Sequence, residues 1–171
     1  MSFYFLHRCP CGNLFNGDKC TCKISDVNKY LAKISGPLLD RIDIQVETSR
    51  INYDDIGYKS KSQSETSEEI KKRVLKTLEI QKKRYKNENI MYNSQLSPSQ
   101  IEIYCDLCEA SHNLLKSAFD EMGLSMRAYH KILRLSRTIA DMEESENIDI
   151  MHVAEAIQYR SLDRKYWKWL I

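Results

Sequence analysis

The sequence predicts an α+β fold that is mostly α, built in two parts, and three observations carry that expectation. Near the start, Phe3-Tyr4-Phe5-Leu6 is a run of bulky residues, and Ile42, Ile44 and Val46 alternate with polar neighbours, both patterns of strands. From Thr66 onward the chain instead repeats a capping residue followed by apolar positions three and four apart, the pattern of helices. Between them runs the polar Ser/Lys stretch Lys59 to Ser64, with the composition of a linker.

Composition bounds the class. A chain of 171 residues that is 42% hydrophobic and 29% charged suits a soluble globular protein of one medium domain or two small pieces. No stretch reads as a membrane span, and the apolar opening at Ser2–Leu6 is too short for a signal-peptide core. A cytoplasmic location is therefore expected, with the six cysteines as thiols or metal ligands instead of disulfides. A net charge of +2 draws no polyanion in bulk, so DNA contact would have to come from local faces or from assembly.

Taken in order, the Phe3–Leu6 strand leads into Cys9-x-Cys11 and, eight residues later, Cys20-x-Cys22. Gly12, Asn13, Asn16, Gly17 and Asp18 let that loop fold back, so four thiolates can close tetrahedrally round a structural zinc ion; free thiols and redox chemistry are the alternatives. The same loop nearly spells a phosphate-binding P-loop, Gly12-x4-Gly17-Asp18-Lys19. Asp18 intrudes between Gly17 and Lys19, and Cys20 instead of a magnesium-binding hydroxyl follows the lysine, so the chain by itself is expected neither to hold ATP tightly nor to hydrolyse it.

Ser25 reads as the cap of a helix burying Val27, Tyr30, Leu31 and Ile34. Ser35-Gly36-Pro37-Leu38-Leu39-Asp40-Arg41 follows as a short helix with Pro37 first, presenting Arg41 at its end before the Ile42–Val46 strand. From these residues alone Arg41 either saturates helix-end carbonyls or reaches another molecule.

Thr66-Ser67-Glu68-Glu69 is a capping box opening a helix with an apolar stripe at Ile70, Val74, Leu75 and Leu78. Its other side is basic through Lys71, Lys72, Arg73, Lys76, Lys82, Lys83 and Arg84, either a solvated face or a nucleic-acid contact. Ser97-Pro98-Ser99-Gln100 starts the next helix, which is expected to run through Cys105 and Cys108 as packing residues. A helix from Glu109 to Met122 ends at Gly123, and Ser125 caps another whose buried side includes Met126, Tyr129, Ile132, Leu133, Ile139 and Ala140. On it Arg127, Lys131 and Arg134 share a face that could meet phosphate. Asp149 caps the last long helix, on which His152 reads as a surface or partly packed residue without an acidic partner.

Cys9-Pro10-Cys11-Gly12, the Ser35–Asp43 stretch and the ending from Gly123 to Asp163 occur in the order of one family. The chain resembles the C-terminal part of the magnesium-chelatase-like AAA+ ATPases, the group that includes the competence protein ComM. That resemblance implies a remnant of an AAA+ α/β core with few strands over 1–58, holding the Cys-rich loop 9–22, then a linker over 59–66 and a helical lid bundle over 67–171. It makes Arg41 the arginine finger acting in trans and Arg127, in its Gly-Leu-Ser-x-Arg-Ala setting, the second sensor of nucleotide. Where the family has Asn-Pro before the first cysteine, this chain has His7 and Arg8. The family further implies ATP and Mg2+ as cofactors, a homo-oligomeric ring, a hexamer, in full-length form, and for the ComM type DNA branch migration in transformation. The alternative is a zinc-stabilised helical binding module with no ATPase role.

Overall fold

The computed structural model describes residues 9–13, 20–46, 48 and 65–160. These fall into two compact units, one up to Gln45 and one from Val46 to Arg160. The strand expected at Phe3–Leu6, the linker at 59–64, positions His7 and Arg8, and the ending beyond Arg160 lie outside the described residues.

In the first unit helix α1 spans Ile24–Leu31 and α2 spans Gly36–Leu39. Lys23, not Ser25, caps α1, because the Lys23 carbonyl already accepts from Val27 at 3.1 Å, closing the first helical turn ahead of the serine. Val27 and Leu31 are buried and form a small core with Cys9, flanked by Cys20, Cys22 and Tyr30. Pro37 takes the second place of α2, still within the first turn, where a missing N–H costs nothing. Residues 42–46 form no strand. Ile44 and Val46 stay 48% and 64% exposed, and no second extended segment among the described residues ladders with them, so the alternation covers no face.

The second unit is a helical bundle: α3 Ser67–Arg84, a 3-10 turn at Asn93–Gln95, α4 Pro98–Tyr104, α5 Glu109–Met122, α6 Met126–Met142 and α7 Ile150–Gln158. Its starts follow local chemistry. Thr66 and Glu69 form the expected reciprocal box, as do Ser97 and Gln100 with Pro98 at the first helical position, and the Ser125 hydroxyl accepts from the Ala128 N–H at 3.1 Å. Gly123 ends α5 at φ +57°, the left-handed conformation that favours glycine. Helix α6 is the centre of the core, burying Ala128, Ile132, Leu133, Ile139 and Ala140, with α7 packed on α5 and α6 through Val153 and Ala156. A parallel bridge between Leu107 and Ile148 is the one β contact among the described residues.

Four expectations change in the bundle. The apolar stripe on α3 is exposed at Ile70 (43%), Val74 (45%) and Leu75 (49%); the helix instead buries Thr77 and Gln81 and hands Tyr85 to the core. Met126 is 58% exposed, although Ala128 in the same turn of α6 is fully buried. Cys105 and Cys108 are outside the helix, since α4 ends at Tyr104; Cys105 is its buried C-cap and Cys108 the exposed N-cap of α5. His152 is buried, not at the surface. Its Nδ1 accepts from the Asp149 N–H at 2.9 Å, which places the ring proton on Nε2, 3.0 Å from the Glu143 carboxylate.

A polar knot closes the bundle where α3 meets α6. The Asp141 side chain is fully buried and accepts a bidentate pair from Arg84, with Arg84 Nη1 2.8 Å from Oδ2. Arg137 Nε reaches Asp141 Oδ1 at 3.1 Å, and Asn93 Nδ2 reaches Oδ2 at 2.8 Å. Arg137 spends its remaining donors on the carbonyls of Ser145 and Glu146, and Asn93 accepts from the Tyr85 hydroxyl at 2.7 Å. Each buried charge therefore has oppositely charged or dipolar partners.

Candidate functional site

The described cysteines of the first unit converge. Cys9 Sγ lies 3.4 Å from Cys11 Sγ and 3.9 Å from Cys20 Sγ, Cys11 lies 3.7 Å from Cys20, and all four sulfurs, with Cys22, fall within 4.8 Å of one another. These are not disulfide separations, and all four are free thiols. A tetrahedral ion with Zn–S bonds of about 2.3 Å has sulfur–sulfur edges of about 3.8 Å, and the three distances bracket that value. The donor set thus fits one zinc ion, with no position left open for a substrate.

Two local features build it. Gly12 adopts φ +73°, and its N–H returns to the Cys9 carbonyl at 3.0 Å, so the first Cys-x-Cys curls back on itself. Cys9 is fully buried against Val27 and Leu31, which ties the loop to α1. The Cys11 thiol is brought down to about 6 by the backbone hydrogen bond at Asn13, assisted by the Cys9 and Cys22 side chains. At Cys22 the backbone hydrogen bond at Cys11 pulls down but is outweighed by the Cys11 side chain, burial and the Cys9 contact, which push it up to about 12; Cys20 is also raised. One thiolate in such a cluster raises its neighbours, since a second negative charge at this range is repelled.

Arg41 stands exposed in the turn after α2, its N–H held by the Leu38 carbonyl at 3.0 Å. Arg127 is exposed in the first turn of α6, with no ion pair among the described residues. The two arginines belong to different units. The trio Arg127, Lys131 and Arg134 does not assemble as a phosphate cradle: Arg134 is half-buried and donates Nη2 to the Leu96 carbonyl, which draws it into the bundle. On α3, Arg73 pairs with Glu65, Lys76 with Glu144 and Arg84 with Asp141, while Lys71, Lys72, Lys82 and Lys83 stay exposed. Cys105 is pushed up to about 11 by burial, whereas hydrogen bonds from the Ser111 hydroxyl and backbone lower Cys108. Such opposed environments fit packing and capping, not a redox pair.

Some of the functional geometry was invisible in the sequence. Asn93 and Asp141 carry the polar knot from ordinary-looking positions, and only the Asp149-x-x-His152 spacing hints that a histidine can complete a capping box.

Residues 64–160 match the family described as "Magnesium chelatase, subunit ChlI C-terminal". The chain belongs to the magnesium chelatase ChlI family. A second match, described as "Magnesium chelatase, subunit ChlI", covers residues 4–56, so the cysteine cluster and Arg41 lie in one ChlI segment and Arg127 in the other. The chain is 38% identical over 138 residues to "Competence protein ComM" of Haemophilus influenzae, covering 81% of this chain and 26% of that protein. It is 34% identical over 155 residues to "Uncharacterized protein YifB" of Salmonella typhimurium, covering 91% and 29%. It is 29% identical over 152 residues to "Uncharacterized protein Rv2897c" of Mycobacterium tuberculosis, covering 89% and 29%. The chain thus spans between a quarter and a third of the length of these relatives. Among the described residues no helix is long and apolar enough to cross a membrane.

Proposed function

We propose that this ChlI-family chain is the distal segment of a ComM-like AAA+ ATPase that processes DNA. In this reading it supplies an arginine finger, Arg41, and a second nucleotide sensor, Arg127, to ATP and Mg2+ held elsewhere in a homo-oligomeric ring. The observation that carries it is the succession of two ChlI matches in family order, the first holding exposed Arg41 and the second exposed Arg127. Both arginines offer a planar, permanent charge suited to phosphate oxygens. Arg127 gains nothing where it is from the dipole of α6, whose positive end it shares, so a phosphate is its natural counter-charge.

The sensor is tested by Arg127→Ala in a full-length protein carrying this segment. A charge-assisted hydrogen bond to phosphate contributes about 1.5–3 kcal/mol, so the ATP dissociation constant should rise about 10- to 100-fold. Unchanged ATP affinity and turnover, with thermal melting intact, would refute the sensor role.

In the same reading Cys9, Cys11, Cys20 and Cys22 hold one structural zinc ion that fixes the loop onto α1. With Cys11 at about 6, one ligand is already a thiolate at pH 7, while the raised Cys20 and Cys22 must give up protons to the metal. Affinity should therefore climb as pH rises from 6 to 8, by about one order of magnitude per pH unit for each proton displaced. Competition against a chromophoric chelator measures this. A flat profile argues against thiolate ligation.

A further inference from the structure

The ion pairs of α3 divide its cations into two sets. Arg73, Lys76 and Arg84 are held by Glu65, Glu144 and Asp141. Lys71, Lys72, Lys82 and Lys83 are exposed and have no such partner among the described residues. Eleven residues separate Lys71 from Lys82 and Lys72 from Lys83, close to three whole helical turns, so the two pairs point the same way about 16 Å apart along the axis. The helix that spaces them is rigid, fixed at one end by the Thr66–Glu69 box and at the other by Arg84 and Tyr85 in the bundle.

We infer that the Lys71/Lys72 and Lys82/Lys83 clusters of α3 are a contact surface for the two phosphate backbones flanking the major groove of a B-form DNA duplex. The inference rests on the DNA-processing reading above and gives that reading a place on the molecule. A major groove is about 12 Å wide, so two lysine clusters about 16 Å apart can each meet one backbone. Between them on the same face stand exposed Glu79 and Leu75. On a uniformly anionic surface Glu79 would be pressed against like charge; over a groove it faces the gap between the backbones. Glu68, one turn before the first cluster, lies beyond the contacted span.

The test is binding of the whole chain to a duplex about three helical turns long, followed by anisotropy between about 50 and 200 mM salt. Replacing Lys71, Lys72, Lys82 and Lys83 with Gln should reduce the slope of log affinity against log salt by about 0.9 for each lysine, and lower affinity at about 50 mM salt by 100-fold or more. Each pair replaced alone should remove about half of the slope change, and a four-fold Lys→Arg variant should keep the wild-type slope. Gln is a good helix former, so thermal melting should be unchanged. The surface is refuted if the wild-type chain does not bind duplex, or if the Gln variant keeps the wild-type slope. An equal loss on a single strand of the same length refutes the two-backbone seating. Stronger binding to phosphatidylserine–phosphatidylcholine vesicles, lost in the same variants, assigns the face to a lipid surface and also overturns it. No nucleotide is needed, so failure here leaves Arg41 and Arg127 to their own tests, and their failure leaves this contact standing.

Discussion

Arg41→Ala, placed in a full-length ring of this family, is expected to leave ATP binding and folding nearly intact and to lower turnover by on the order of 10³-fold or more. The size follows from the chemistry. As the terminal phosphoryl group transfers, charge spreads over its equatorial oxygens, and a guanidinium set against them stabilises that charge without rearranging. Arg41 occupies an exposed turn, held by backbone hydrogen bonds that do not involve its side chain, so truncation to Ala should spare α2. Lysine should not rescue it, because a point charge cannot reproduce the fork. The trans role makes a sharper demand. Mixing the Arg41→Ala protein with a P-loop-dead protein creates boundaries at which a sound P-loop faces a sound finger, in a head-to-tail ring where each member completes the next. Some activity should return. If mixed rings form and remain as inactive as either parent, Arg41 is a helix-end residue and the trans role is wrong.

Asp141→Ala is expected to be the most damaging single change to the bundle. The carboxylate is fully buried between Arg84 and Arg137, and its removal leaves one guanidinium 18% exposed and another 4% exposed without their anion. Breaking a buried ion pair from one side costs about 3–5 kcal/mol. For a unit of this size that is a fall in Tm of roughly 15–25 °C, measurable by circular dichroism. The loss is one of uncompensated charge more than of volume. A triple change, Asp141→Leu with Arg84→Met and Arg137→Leu, should therefore recover much of what Asp141→Ala removes. A melting temperature within a few degrees of wild type for Asp141→Ala would show that water or neighbouring carbonyls already neutralise the arginines.

The local signals proved the most legible. Thr66, Ser97, Ser125 and Gly123 mark helix ends in the sequence and occupy those ends in the fold, because a cap is satisfied by groups within a few residues of itself. The cysteine spacing likewise announced four sulfurs that can meet, since Gly12 and the short loop leave them little room to diverge. At Ile70, Val74 and Leu75 the periodicity was helical as expected, yet it misidentified the buried side: Thr77 and Gln81 go in, where Gln81 accepts the Asn93 N–H at 3.2 Å. Arg134 shared a helical face with Arg127 on paper and was taken by the Leu96 carbonyl in fact.

By itself, then, the sequence determined the helices from residue 67 onward, their starts, the stop at Gly123 and the four-thiol grouping, because each depends on hydrogen bonds or covalent reach over a few residues. Only the tertiary structure decided that Ile42–Val46 forms no strand, that His152 is buried against Glu143, and that Asp141 joins Arg84 to Arg137. Arg84 and Asp141 are 57 residues apart, and a side chain's burial or pairing at that distance is set by which helix packs opposite it, which no local pattern records.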